Sequence, residues 1–338
     1  MAQAVTTDES HEPPEPPGVT GPTPREVEDV PGTVDKVFNG VTLASGLFVL
    51  FLLTIVGFFL LWQSRDAINV TGFWTFLTRT EWRTDVSPPR IGVAGLMLGT
   101  VLVALVGVAI AIPLGIVAAL FITEYASARA RRWLIALVDL LAAVPSLLFG
   151  LWGFLYLTDL IVPISQWLTN TFGWIPFFAT DDNANLTGSI FIAGIVVGLM
   201  VLPIQASVVR EVFAQTPPGE KEAALALGGT RWGMIKTVVL PFGKGGIIGG
   251  SMLGLGRALG ETIAVALLLP QVPEISVKIL QNGGATVSGF IANRAGGDDF
   301  TVSGLMAAGL VLFVITLAVN MLASVIVSRS RSGAGVEI

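Results

Sequence analysis

Glu220-Lys221-Glu222-Ala223-Ala224-Leu225-Ala226-Leu227-Gly228-Gly229-Thr230-Arg231, running on to Val238-Val239-Leu240-Pro241, is a polar island between strongly apolar segments. Thr216 followed by Pro217 and Pro218 offers a cap and a first-turn proline. Glu220 and Glu222 then place negative charge in the first turn, where the helix macrodipole favours it. Alanine and leucine carry the helix on until Gly228-Gly229 stops it. A second helix is expected from about Trp232 to Leu240-Pro241. The result would be a short rigid elbow over about 217–229, with small residues (Ala223, Ala224, Gly228) on its surface. Such a surface lets another protein's walls approach closely, although an ordinary capped loop helix fits the same residues.

What surrounds the island decides the class. Charged residues are 13% of the chain and hydrophobic residues 53%, with a mean hydropathy of +0.77. That charge share is about half of what a soluble domain carries, so the bilayer is the expected solvent. The net charge of -5 is a property of one end, since eight of the 24 acidic residues lie in the first 35 positions. Residues 1–38, rich in Pro, Glu, Thr and Gly, cannot bury enough apolar area to offset ordering and are expected to be disordered. A short amphipathic piece at Val34 to Phe38 is expected on the membrane surface. The N-terminus is acidic and lacks the basic region of a cleavable signal peptide. With no cysteine, disulfides, zinc–thiolate sites and thiol catalysis are excluded. The single histidine, His11, sits in the tail, and no basic stripe points to nucleic acid.

Six apolar segments follow, at Gly40–Trp62, Ile91–Ile122, Leu134–Leu157, Ile190–Ile204 (extending to about Val209), Ile247–Leu269 and Gly304–Val327. About 20 apolar residues cross a hydrocarbon core, so the reading is an all-α integral membrane protein with six transmembrane helices. It divides into the tail, a first helix and external loop over 39–91, a transmembrane body over 92–327, and a second tail over 328–338. Pro113, Pro145 and Pro203 lie within spans, which favours a bundle that can re-satisfy the freed carbonyls. With the N-terminus inside, cytoplasmic segments carry twelve Lys and Arg and external loops six, so both termini and the elbow are expected in the cytoplasm. The external loops at 63–90 and 158–189 are aromatic, with Trp74, Trp82, Trp167 and Trp174 among others. An interfacial belt and a docking surface for an external partner both fit them.

The fifth segment carries a buried-looking charge pair, Arg257 and Glu261. Glycines at 245, 246, 249, 250, 254, 256 and 260 form a small-residue face for close helix packing. Packing does not explain an arginine, whose burial costs several kcal/mol unless it is paired or solvated. Four residues apart on a helix, Arg257 and Glu261 would share a face. A self-neutralising ion pair is one reading. The other is an anion path, in which the guanidinium fork takes tetrahedral oxyanions and the carboxylate weakens their hold. Enzymatic chemistry has no support: Asp139, Asp159 and Glu124 lack metal-ligand spacing, and no nucleophile–base pair appears. No metal site, catalytic residue or cofactor is therefore expected in this chain.

Glu222-Ala223-Ala224 with Gly228, Val238 and Leu240-Pro241 resembles the "EAA" signature of bacterial ABC importer permeases, with Val238 in a usual Ile place. Gly256-Arg257-Ala258-Leu259-Gly260-Glu261-Thr262 resembles the "GRAxGET" run of phosphate-specific permeases. Pro113-Leu114-Gly115-Ile116 with Thr123-Glu124-Tyr125-Ala126, and Pro145-Ser146 with Phe149-Gly150-Leu151-Trp152-Gly153, are similar to further stretches of that family. The first external loop, Trp74 to Trp82, looks like the PstC-type subunit. This resemblance implies a type I (MetI-like) permease bundle in the bacterial cytoplasmic membrane. It implies a PstA-type permease as heterodimer partner, a PstB-type ATPase dimer seated on the elbow through Glu222, Ala223, Ala224, Gly228, Leu240 and Pro241, and an extracytoplasmic phosphate-binding protein. Arg257 and Glu261 would line the path of inorganic phosphate. The chain holds no G-x-x-x-x-G-K-[ST], so ATP and Mg are expected on the ATPase. Sulfate or molybdate import, and a non-transporting anchor or sensor for an ATPase, remain the alternatives.

Overall fold

The computed structural model describes residues 32–330, with side chains through residue 326. Those residues are helical, with two isolated bridges between loops as their β pairing. Six helical runs are long and apolar enough to cross a bilayer: Thr33–Gln63, Ala94–Tyr125, Ser146–Phe172, Ile190–Ala214, Arg231–Gly260 and Asp299–Ile326.

The described residues fall into two units, divided between Thr54 and Ile55. Helix α1 (Thr33–Gln63) supplies the described part of the first and the start of the second, and none of its side chains is buried. Val34 to Phe38 are its opening turns rather than a separate surface piece. The Asp35 carboxylate accepts from the Gly32 N–H at 3.0 Å, and no proline interrupts the run up to Gln63. The rest of the expected N-terminal tail, up to residue 31, lies outside the described residues, as do residues 331–338.

In the second unit, short helices α2 (Arg65–Thr71) and α3 (Phe73–Thr78) lead to α4 (Ala94–Leu120), which ends in a π turn at Phe121–Tyr125. The segment expected at Leu134–Leu157 is two helices, α5 (Ala128–Ala143) and α6 (Ser146–Trp152). The residue before a proline is pushed out of helical geometry by the ring, and Val144 is accordingly extended (φ −65°, ψ 128°) ahead of Pro145. From α6 a π turn at Gly153–Leu157 runs straight into α7 (Thr158–Phe172), so the first half of the expected loop 158–189 is helical.

Helix α8 (Ile190–Ala214) is the centre of this unit, with 67% of its most apolar stretch buried against 33% or less for the other spans. In hydrocarbon, helices gain little from expelling water and associate through close van der Waals contact. Glycines provide it on two sides. On α4, a Cβ at Gly107 would lie 3.2 Å from the Gly194 carbonyl. The helix α11 (Leu240–Gly260) sets Gly243, Gly246 and Gly254 against Phe213, Val212 and Val201, each closer than 3 Å to an added Cβ.

After α8 come the elbow helix α9 (Pro218–Ala226), then α10 (Arg231–Met234), a π turn at Ile235–Val239 and α11. These last three make one rod, Arg231–Gly260. Pro241 was expected to end a helix and does not. A mid-helix proline clashes with the carbonyl four residues back. Here that residue, Thr237, lies in the wider π turn, which accommodates the ring. The rod stops at Gly260, earlier than the expected Leu269, and the short α12 (Ile263–Leu268) follows. The chain then returns through Gln271, whose buried amide donates to the Val265 carbonyl at 3.2 Å and accepts from the Thr286 N–H at 3.3 Å. Helices α13 (Val287–Arg294) and α14 (Asp299–Ser330) complete the unit.

Candidate functional site

The elbow's stop is a Schellman motif. Gly229 N–H donates to the Ala224 carbonyl at 3.2 Å and Gly228 N–H to Leu225 at 3.0 Å, with Gly228 at φ +85°. Thr230 restarts the chain, its hydroxyl accepting from the Gly233 N–H at 3.1 Å. Thr216 is not the cap of α9. The helix begins at Pro218, so Pro217 occupies the cap position without a side-chain bond, and the Thr216 hydroxyl is buried with no partner among the described residues.

Of the small residues expected on the surface, Ala223 and Gly228 are exposed, as is Glu222. Ala224 turns inward, packed with Ile116, Leu240 and Ile247 against a cluster of Val209, Phe213, Ile235 and Val239. Leu240 is part of that seat and Pro241 is exposed. The outward apolar contacts come instead from residues not singled out in the sequence: Leu227, 90% exposed, with Leu225 and Trp232 beside it in sequence.

A charged lock fixes the elbow to the end of the second span. Lys221 Nζ lies 2.6 Å from Glu124 Oε1, with the two side chains only 20% and 8% exposed. Arg131 donates from Nε to the Ile122 carbonyl at 2.9 Å and from Nη2 to that of Thr123 at 2.6 Å, and Arg231 lies 5.8 Å from the centre of the Tyr125 ring. Spacing alone could not pair Lys221 with Glu124, ninety-seven residues earlier. A cation flanked by two glutamates gives no hint that its partner is a third.

Arg257 sits in the last turn of α11 on an opening of about 360 Å³ lined by Ile204, Leu253, Gly256 and Asn320. It is exposed, and among the described residues it forms no ion pair or hydrogen bond. Glu261 does not share its helical face. The helix has ended, Glu261 is extended (φ −65°, ψ 127°), and its Oε1 accepts from the Ala264 N–H at 3.3 Å. Its carbonyl accepts from the Ser288 hydroxyl at 2.6 Å. Glu261 therefore braces the break between α11 and α12. Asn320, from α14, is the polar neighbour that the sequence reading missed, being a lone amide in an apolar span.

Residues 111–332 match the family described as "Binding-protein-dependent transport system inner membrane component". The chain belongs to this family. Among binding-protein-dependent permeases it is 38% identical over 304 residues to the Mycobacterium tuberculosis protein "Phosphate transport system permease protein PstC 2", covering 88% of this chain and 93% of that one. It is 43% identical over 239 residues to the Mycobacterium leprae "Phosphate transport system permease protein PstC", covering 70% and 75%. A crystal structure of a bacterial alginate ABC transporter, in complex with an alginate pentasaccharide-bound periplasmic protein, aligns with a TM-score of 0.54 over 90% of this chain and 100% of its own, at 17% identity. That likeness bears on fold alone. The permease is thus a multi-pass membrane protein with the fold of an importer transmembrane subunit.

Proposed function

We propose that this chain is one permease half of an ATP-driven importer of inorganic phosphate. The observation that carries the reading is Arg257, a guanidinium without a partner among the described residues, facing an opening in a span where Asn320 is the other polar side chain. Charge at that position costs several kcal/mol unless it is used. Its planar fork matches the oxygens of phosphate, and Asn320 adds an amide that can accept or donate. The names of the mycobacterial relatives support phosphate over sulfate or molybdate.

The remaining parts follow from the same reading. A PstA-type permease would supply the facing half of the path, and a phosphate-binding protein would deliver substrate outside. A PstB-type ATPase dimer would bind ATP and Mg and receive the elbow, with Leu225, Leu227 and Trp232 as apolar contacts and Glu222 as the charged one. The elbow and both termini would lie in the cytoplasm of the bacterial membrane. Because Thr230 caps the rod Arg231–Gly260 directly after the elbow, a push on α9 reaches Arg257 through continuous helix.

The test is phosphate uptake by the assembled importer carrying Arg257→Ala. Uptake should be lost while the ATPase still co-purifies. Normal uptake by that variant would sink the anion path and favour an anchoring role.

A further inference from the structure

A second opening, of about 440 Å³, lies between the elbow, the end of the second span and the last turns of α8, with Thr123, Glu124, Arg131, Arg210 and Lys221 in its wall. Its volume is that of a small-molecule site. Three cations face two carboxylates there, the second being Glu211. Lys221 is committed to Glu124, and Arg131 gives Nε and one Nη to backbone carbonyls. Arg210 is half-buried and, among the described residues, makes no hydrogen bond or ion pair. A guanidinium held partly out of water without a direct ion pair or hydrogen bond is costly. The neighbouring Arg131 retains an unused Nη1 on the same wall.

We infer that this opening is a second anion site, separate from Arg257, which takes a phosphate-bearing group between Arg210 and Arg131. Forked donors on two helices suit a tetrahedral oxyanion better than a point charge does. Arg210 is six residues beyond Ile204 in α8, about 9 Å along the helix axis from the Arg257 opening. An occupant would tie α8, through Arg210, to Arg131, which holds the Ile122 and Thr123 carbonyls beside Glu124, the residue to which the elbow's Lys221 is locked. It would thereby resist elbow movement. Two sources carry this chemistry, free inorganic phosphate and an anionic lipid headgroup; only the cytoplasmic placement of the site rests on the importer reading.

The experiment uses the importer complex in nanodiscs of phosphatidylcholine, following the thermal unfolding midpoint against inorganic phosphate, with sodium chloride at matched ionic strength as control. A rise with phosphate that Arg257→Ala retains and Arg210→Gln loses, with affinity at least roughly tenfold weaker, identifies free phosphate. A rise on adding phosphatidylglycerol to the disc, again lost in Arg210→Gln, identifies a headgroup. Arg210→Lys keeps the charge without the fork and should retain a weaker rise, which separates lost binding from misfolding. If neither addition distinguishes the wild type from both Arg210 variants, the inference is overturned. Since the readout is a midpoint and not uptake, that failure is separate from any failure of the transport reading.

Discussion

Lys221 and Arg257 are two cations carried at opposite ends of one connected helical piece, and the chain treats them oppositely. Lys221 is mostly buried and held 2.6 Å from a carboxylate of the second span. Arg257 stands open beside Asn320, and Glu261, its nearest acid in sequence, is turned to the first turn of α12. A charge that holds the fold together finds its partner within the chain. A charge meant for a visitor, or for another subunit, is left without one.

The sharpest way to break that contrast is Arg257→Ala. Loss of an anion contact of this kind costs about 2–5 kcal/mol, so uptake should fall by at least roughly 30-fold. The unfolding midpoint should hardly move, and Arg257→Lys should recover only part of the uptake. Next is Lys221→Ala, which strands the buried Glu124 carboxylate and should cost about 3 kcal/mol of stability, the lower end for a broken buried pair. Thermal unfolding checks it, and the double variant Lys221→Met/Glu124→Leu should regain much of the loss. Equal midpoints for Arg257→Ala and Lys221→Ala would erase the distinction.

Smaller still is the difference between glycines on the rod that joins the two ends. At Gly243 an added Cβ would meet the Phe213 ring at 2.2 Å, whereas at Gly260 it would meet nothing within 4 Å. Gly243→Ala should destabilise by about 1–3 kcal/mol through overpacking, and Gly260→Ala should leave the midpoint nearly unchanged. The least effect is expected at an exposed loop pair. The Lys278 ammonium, hydrogen-bonded to Asp181 and assisted by Gln281, holds that carboxyl below its ordinary range. A lowered folded pKa stabilises above the unfolded value of about 3.9 and is lost as pH falls through the folded one. Protection factors against hydrogen exchange around residues 181 and 278, with the intrinsic pH dependence of exchange divided out, should therefore be flat from neutral pH down to that range and fall only below it, a fall absent in Asp181→Asn.

Much of this was legible in the sequence because hydrophobic length and backbone chemistry are local. Six spans, the glycine stop at Gly228 and the packing register of Gly246 and Gly254 follow from composition, φ restrictions and spacing. Errors arose where one residue's influence depends on its neighbours in space. Pro145 cut a span that apolar composition made continuous, while Pro241, equally suspect, did not, because a π turn preceded it. Ala224 looked like surface for the same reason that it packs well: it is small. Lys221 with Glu124, and Arg257 with Asn320, join residues far apart in sequence, and no periodicity reports such pairs.

The π turn at Ile235–Val239 has a geometric consequence of its own. Five residues per bond in place of four amounts to one residue inserted into an α-helix, a rotation of about 100°. The turn therefore works as a phase shifter, setting the azimuth of everything above it against everything below. With it, Gly243, Gly246 and Gly254 point at α8. Remove a single residue there and the same glycines would face away, carrying Arg257 out of its opening as they turned.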